Sequence, residues 1–268
     1  MDSRPIGVFD SGVGGLTVVQ EIMNQLPNEE IIYFGDTARV PYGSKSKETV
    51  TKYSKQIIRF LLTKNIKAII IACNTASSNS LEEVRKTFDI PIIGVVKPGA
   101  VMAYKTTKNK RIGIIGTEAT IRSESYSKEI KKHDKEIETF SVPCPLFVPL
   151  AEEGWTDNEI SYLVAKKYLE PFADLEIDTL VLGCTHYPLL KDVIQNVVGN
   201  KVQLINPALE TAKDLKELLS AGNALREDKT APNHSFYVSD NTSKFEQIAA
   251  IALKKSIPPV EIIDIEQY

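Results

Sequence analysis

Two related α/β halves, each a doubly wound parallel sheet flanked by helices, are what this 268-residue sequence predicts. Three observations carry that reading: short apolar runs alternate with longer amphipathic segments, two pairs of strand-like motifs recur, and a cysteine closes the second motif of each pair. Apolar runs at 6–9, 31–34, 68–72, 92–96, 112–115, 179–182 and 202–205 predict buried strands, since strands covered on both faces read as continuous hydrophobic stretches. Between the second and third, residues 47–65 place Val50, Tyr53, Ile57, Phe60 and Leu61 on one stripe at steps of three and four. That spacing predicts a helix lying on a sheet.

The repetition is specific. Ile6-Gly7-Val8-Phe9-Asp10-Ser11 matches Ile112-Gly113-Ile114-Ile115-Gly116-Thr117, and Ile70-Ile71-Ala72-Cys73-Asn74-Thr75 matches Val181-Leu182-Gly183-Cys184-Thr185-His186. Each half then carries a small polar group after its first strand and a cysteine after a later one. The carboxyl ends of strands in open α/β sheets are where ligands bind, so a cleft between the halves is the expected site.

Composition narrows the class. Hydrophobic residues make up 43% and charged residues 25%, as in ordinary globular chains. Thirty-two Lys and Arg against thirty-five Asp and Glu leave a net charge of −3 with no run of like charges, which predicts no nucleic-acid partner and no membrane surface. No apolar stretch approaches the roughly 18 to 20 residues that span a bilayer, and the first residues lack the pattern of a signal peptide. A cytoplasmic protein is expected. Three cysteines without a C-x-x-C pair, and three histidines, predict neither a disulfide framework nor a metal site.

Cys73 and Cys184 are candidate acid–base groups. A thiol serves as a base only when a neighbour favours its thiolate over the ordinary pKa of about 8.5. His186 stands two residues after Cys184, and Asp10 can approach Cys73 from the adjacent first strand. Gly12, Gly14 and Gly15 do not complete a G-x-G-x-x-G or P-loop pattern. They predict instead a helix that starts at the site with free N–H groups facing an anion. The loop at 35–43 gathers Asp36, Arg39 and Tyr42 among turn formers. Cys144, held between Pro143 and Pro145, reads as structural, and Glu152-Glu153 as the start of a surface helix.

Together, Asp10-Ser11-Gly12-Val13-Gly14-Gly15, the loop at 35–43, Ala72-Cys73-Asn74-Thr75-Ala76 and Leu182-Gly183-Cys184-Thr185-His186-Tyr187-Pro188-Leu189 resemble the bacterial glutamate racemases of the cofactor-independent aspartate/glutamate racemase superfamily. The resemblance runs over essentially the whole chain. It implies two-base racemisation of glutamate without a cofactor, supplying D-glutamate for peptidoglycan, with aspartate racemisation as the alternative. By the same resemblance Asp10 assists Cys73, and His186 assists Cys184 with Glu152 as a further acidic neighbour. Asp10, Ser11, Pro41, Tyr42, Gly43, Asn74, Thr75, Thr117, Thr120, Thr185 and His186 hold the substrate, and Asp36 matches another acidic position of the family. It further implies a homodimer and a division into residues 1–97 with 207–268 and residues 98–206. Lys97 and Asn206 depart from the glutamate and aspartate usual at those positions. The chemistry proper requires two bases facing each other across a planar carbanion, and two thiols from related halves meet that requirement.

Overall fold

The computed structural model describes residues 2–228, 230–253 and 256–268. Among the described residues ten strands fall in two sheets: β1 (Ile6–Asp10), β2 (Ile31–Gly35), β3 (Ala68–Ile71), β4 (Ile92–Gly94), β5 (Arg111–Gly116), β6 (Glu138–Pro143), β7 (Thr179–Gly183), β8 (Gln203–Ile205), β9 (Ser235–Val238) and β10 (Val260–Ile262). The first sheet runs β10-β9-β2-β1-β3-β4 and the second β6-β5-β7-β8, with every pairing parallel. The order β2-β1-β3-β4 therefore recurs as β6-β5-β7-β8. Register recurs too: Ile6 pairs with Ala68 as Ile112 pairs with Thr179. Consequently Cys73 and Cys184 leave equivalent strands at equivalent heights, which is the physical content of the sequence repeat.

Alternation along each strand sends side chains to both faces. In the first sheet Ile6, Val8 and Ile70 pack on one side, while Phe9, Ile69 and Ile71 pack on the other. In the second, Ile112, Ile114 and Val181 oppose Ile115, Leu180 and Leu182. The helix Lys47–Leu62 covers one face of the first sheet. It begins where Ser46 Oγ accepts from Thr49 N at 3.2 Å, and it buries Val50, Ile57, Phe60 and Leu61, each contributing roughly 1.5–3 kcal/mol by leaving water.

The chain leaves the first sheet through the helix Val96–Thr106 and returns through the helix Pro207–Ala221, and these two helices pack on each other. The apolar run expected as a strand over 92–96 stops at Gly94, because Pro98 suits the first turn of a helix, where its missing N–H leaves nothing unsatisfied. Asn206 caps the returning helix, its Oδ1 accepting from Ala208 N at 3.1 Å, a role an aspartate would fill equally. Three strands lie outside the expected set. β6 is an edge strand in which no residue is fully buried, and β9 and β10 extend the first sheet beyond β2. Among the described residues no helix is long and apolar enough to cross a membrane.

Candidate active site

Cys73 follows β3 after Ala72 and caps the helix Asn74–Thr87, its Sγ accepting from Ala76 N at 3.5 Å and lying 3.7 Å from Ser11 Oγ. It is 5% exposed. Burial pushes the thiol well up, and the Asp10 carboxylate adds to that, while the helix N–H and Ser11 oppose it. Cys73 is therefore a thiol in the free protein. Asp10 ends β1 and is fully buried, with Oδ2 accepting from Gly12 N and Gly15 N at 3.1 Å each, and Oδ1 accepting from Thr185 Oγ1 at 3.5 Å. Burial raises its pKa, against the pull of His186 and of those N–H groups. The glycines were expected to point their N–H groups at a bound anion. Gly12 and Gly15 point them at Asp10, whose buried carboxylate needs those donors in place of water.

On the other half, Cys184 follows β7, with Sγ 3.8 Å from His186 Nδ1, and His186 Nε2 lies 3.2 Å from Glu152 Oε1. Burial alone would lower the His186 pKa. The hydrogen-bonded Cys184 and Glu152, with Asp10 beyond, outweigh it and raise it to about 10. His186 is thus a buried imidazolium below that pH, positioned to stabilise negative charge on the Cys184 sulfur. Glu152 ends the helix Phe147–Glu152 instead of starting one, since Gly154 at φ +72 turns the chain immediately afterwards. That placing is what lets its carboxylate reach back to His186. Cys144 is buried under the same helix, its carbonyl accepting from Tyr187 Oη at 2.9 Å, and burial raises its pKa; it meets no activating partner.

The halves meet through hydroxyl groups. Thr75 Oγ1 lies 2.8 Å from Thr117 Oγ1 and 3.3 Å from Thr120 Oγ1, with Thr117 and Thr120 3.0 Å apart. Asn74 Oδ1 accepts from Tyr126 Oη at 2.5 Å across the same divide. Tyr126 was not anticipated: a buried tyrosine on a helix carries no sequence signal distinguishing it from core. Gly43 approaches so closely that a Cβ there would stand 2.6 Å from Thr117 Cβ. Pro41, Gly43 and Thr117 line a cavity of about 140 Å³ with Val148 and Pro149 at the rim of this junction.

One expected ligand-holding group, Tyr42, and the further acidic position of the family, Asp36, turn their side chains to each other. Tyr42 is buried and its hydroxyl donates to Asp36, so what it presents toward the junction is main chain. Asp36 accepts in addition from Arg39 Nε at 2.7 Å and Ser239 Oγ at 2.8 Å, which engages both its oxygens. Of the remainder, Asp10, Ser11, Asn74, Thr75, Thr117, Thr120, Thr185 and His186 are buried at the ends of β1, β3, β5 and β7, the strands the repeat relates, while Pro41 and Gly43 flank Tyr42 in the turn outside them. The constellation offers two thiols on opposite halves, one beside a carboxylate and one beside an imidazolium, joined by hydroxyl donors. Such a site can remove a proton at one face of a small anionic molecule and return one at the other.

Comparison with known proteins bears on the substrate. The model of the family described as Asp/Glu/Hydantoin racemase matches residues 6–215. The glutamate racemase of Geobacter metallireducens is 53% identical over 248 residues, covering 92% of either chain. The crystal structure of the Francisella tularensis glutamate racemase in complex with D-glutamate superposes with a TM-score of 0.94 at 43% identity, covering both chains completely. The Picrophilus torridus aspartate racemase, at 18% identity and a TM-score of 0.58, is similar in fold alone.

Proposed function

Because the chain belongs to the Asp/Glu/hydantoin racemase family, we propose that it interconverts L- and D-glutamate by removing the α-proton with one of Cys184 and Cys73 and returning a proton from the other. The observation that carries this reading is the equivalent placing of the two cysteines on repeated half-sheets, each with its own polar partner.

With L-glutamate, the Cys184 thiolate, stabilised by the His186 cation, takes the α-proton and the C–H electron pair stays on carbon. The Cys73 thiol then donates its proton to the opposite face of the planar carbanion. D-glutamate leaves, with Cys184 protonated and Cys73 a thiolate. The reverse reaction starts from that second state: the Cys73 thiolate takes the α-proton of D-glutamate and the Cys184 thiol returns one to the opposite face. Where the free enzyme holds Cys73 as a thiol, Asp10, whose raised pKa suits a proton acceptor, is the group that takes its proton. Each electron pair stays on carbon or sulfur, so no redox cofactor enters the balance. Hydrogen-bond donors stabilise the carbanion in this buried site, with the hydroxyl groups of Ser11, Thr75, Thr117, Thr120 and Thr185, the Asn74 carboxamide and the Pro41-Tyr42-Gly43 main chain holding the carboxylates and ammonium. In this reading the lobes are residues 1–97 with 207–268 and residues 98–206. The enzyme works as a cytoplasmic homodimer, supplying D-glutamate for peptidoglycan.

Circular dichroism of L- and D-glutamate incubated with EDTA-dialysed protein tests this, with L-aspartate in parallel. Both glutamate signals should decay to zero. Persistent glutamate signals with a decaying aspartate signal would move the assignment to aspartate, and activity recovered only on adding zinc or pyridoxal phosphate would overturn the two-thiol mechanism.

A further inference from the structure

We propose that Arg39 is a positioning residue of this enzyme, its guanidinium tying the Pro41-Tyr42-Gly43 turn of the cleft to Glu266 at the end of the chain. This rests on the racemase reading of the site. Arg39 Nε donates to Asp36 Oδ2 at 2.7 Å, the same oxygen that accepts the Tyr42 hydroxyl. Its Nη1 donates to Gln56 Oε1 at 2.7 Å and to Glu266 Oε1 at 3.0 Å, and Gln56 Nε2 donates in turn to Glu266 Oε2 at 3.3 Å. The guanidinium carbon lies 4.0 Å over the Tyr53 ring, and that ring lies 5.5 Å from the ring of Tyr42. One planar cation thus contacts the helix Lys47–Leu62, the C-terminal segment and the Asp36 carboxylate that holds the Tyr42 hydroxyl of the cleft turn.

Two features argue that this arrangement serves geometry more than stability. Arg39 Nη2 is buried without an acceptor, so the side chain is held in place despite an unsatisfied donor. Buried ion pairs in general contribute little net stability while fixing orientation. What is oriented is the turn whose next residue, Gly43, packs against Thr117 of the opposite half. If the turn shifts, the contact between Gly43 and Thr117 shifts with it, and so does the hydroxyl cluster. A lysine cannot substitute, since a single ammonium group does not reach Asp36, Gln56 and Glu266 with fixed directions while stacking on Tyr53.

Kinetics with both enantiomers tests the assignment. Arg39→Ala should raise KM for L- and D-glutamate by about tenfold or more with kcat reduced by less than about threefold, because binding geometry is lost and the bases remain. Arg39→Lys should stay defective, and guanidinium ion at about 10 mM should restore much of the KM of the alanine variant. Unchanged KM values accompanied by a lower melting temperature would overturn the proposal in favour of a purely structural role, as would a lysine variant equal to the parent. Should the alanine variant fail to fold, Glu266→Ala decides, since that carboxylate lies 61% exposed and its loss leaves the core intact. A KM raised about two- to fivefold supports the tie, and an unchanged KM overturns it. A parent enzyme that does not racemise glutamate would fail the functional reading, an outcome separate from any of these.

Discussion

Gly14 lies against His186: a Cβ at Gly14 would stand 2.7 Å from His186 Nδ1 and 2.4 Å from Thr185 Oγ1. The first half thus closes on the second at the nitrogen that faces Cys184, with no room for a methyl group. Gly14→Ala should displace the imidazole by a fraction of an ångström to an ångström and lower kcat/KM about 100-fold for both enantiomers. Far-UV dichroism should stay that of the parent. A parent-like rate would mean that the halves separate freely and that the contact does not position His186.

How far the sequence reached can be judged from particular residues. Strands buried on both faces, such as β1, β3, β5 and β7, were legible as continuous apolar runs, and the cysteines that follow them were legible because the repeat aligned them. β6 was not, since an edge strand reading Glu-Thr-Phe-Ser-Val-Pro has few side chains to bury. Glu152 was assigned beside His186 from resemblance, while its local sequence suggested a helix start. Only the turn at Gly154 shows that it ends one. The tie through Arg39 and the Tyr126–Asn74 bond join residues distant in sequence or on different halves, and the inward turn of Tyr42 onto Asp36 lies within one irregular loop, so no local periodicity records these pairings.

The two thiols should fail together. Replacing Cys73 or Cys184 with alanine removes one of two bases that must act in one turnover, so racemisation in both directions should fall by about 10⁴-fold or more. Dichroism of either enantiomer over long incubations gives the residual rate. Activity within tenfold of the parent in either variant would be incompatible with two-base transfer.

Stability should fall with rising pH through the His186 cation. Its pKa is raised from 6.5 to about 10 in the folded protein, so folding takes up a proton between those values. The stabilisation is complete below about pH 6.5 and is lost as pH rises toward 10. One proton limits the slope to about 1.4 kcal/mol per pH unit. Urea unfolding at intervals from pH 6.5 to 9.5 should show the parent losing stability relative to His186→Asn, and parallel curves would contradict a cationic imidazole.

Away from the cleft, Lys67 and Glu29 form a buried ion pair with Nζ and Oε2 2.6 Å apart and side chains 1% and 2% exposed. Lys67 also donates to the carbonyls of Asp2 at 2.8 Å and Ala224 at 2.7 Å, and Glu29 accepts from Arg226 N at 2.9 Å, which joins the start of the chain to the segment before β9. Lys67→Met leaves Glu29 charged and unpaired, and should cost about 3–5 kcal/mol. The double variant Lys67→Met with Glu29→Gln should recover part of that. Denaturant midpoints measure both, and kcat/KM of the folded fraction should stay within about twofold.

The two halves should differ in direction. Cys73 has a carboxylate neighbour and Cys184 an imidazolium, so each proton transfer has its own assistant. His186→Asn leaves the Cys184 sulfur without its cation, and removal of the proton from L-glutamate should become the slower step. Asp10→Asn removes the acceptor that relieves Cys73, and removal from D-glutamate should suffer more. The equilibrium constant between enantiomers is untouched by any catalyst, so kcat/KM must remain equal in the two directions and the bias must appear in kcat and KM separately and in isotope effects. Glutamate deuterated at the α-carbon should therefore give a larger primary effect from L-glutamate in His186→Asn and from D-glutamate in Asp10→Asn. Equal effects from both enantiomers in both variants would sink the pairing of Asp10 with Cys73 and of His186 with Cys184, while leaving the two thiols as the bases.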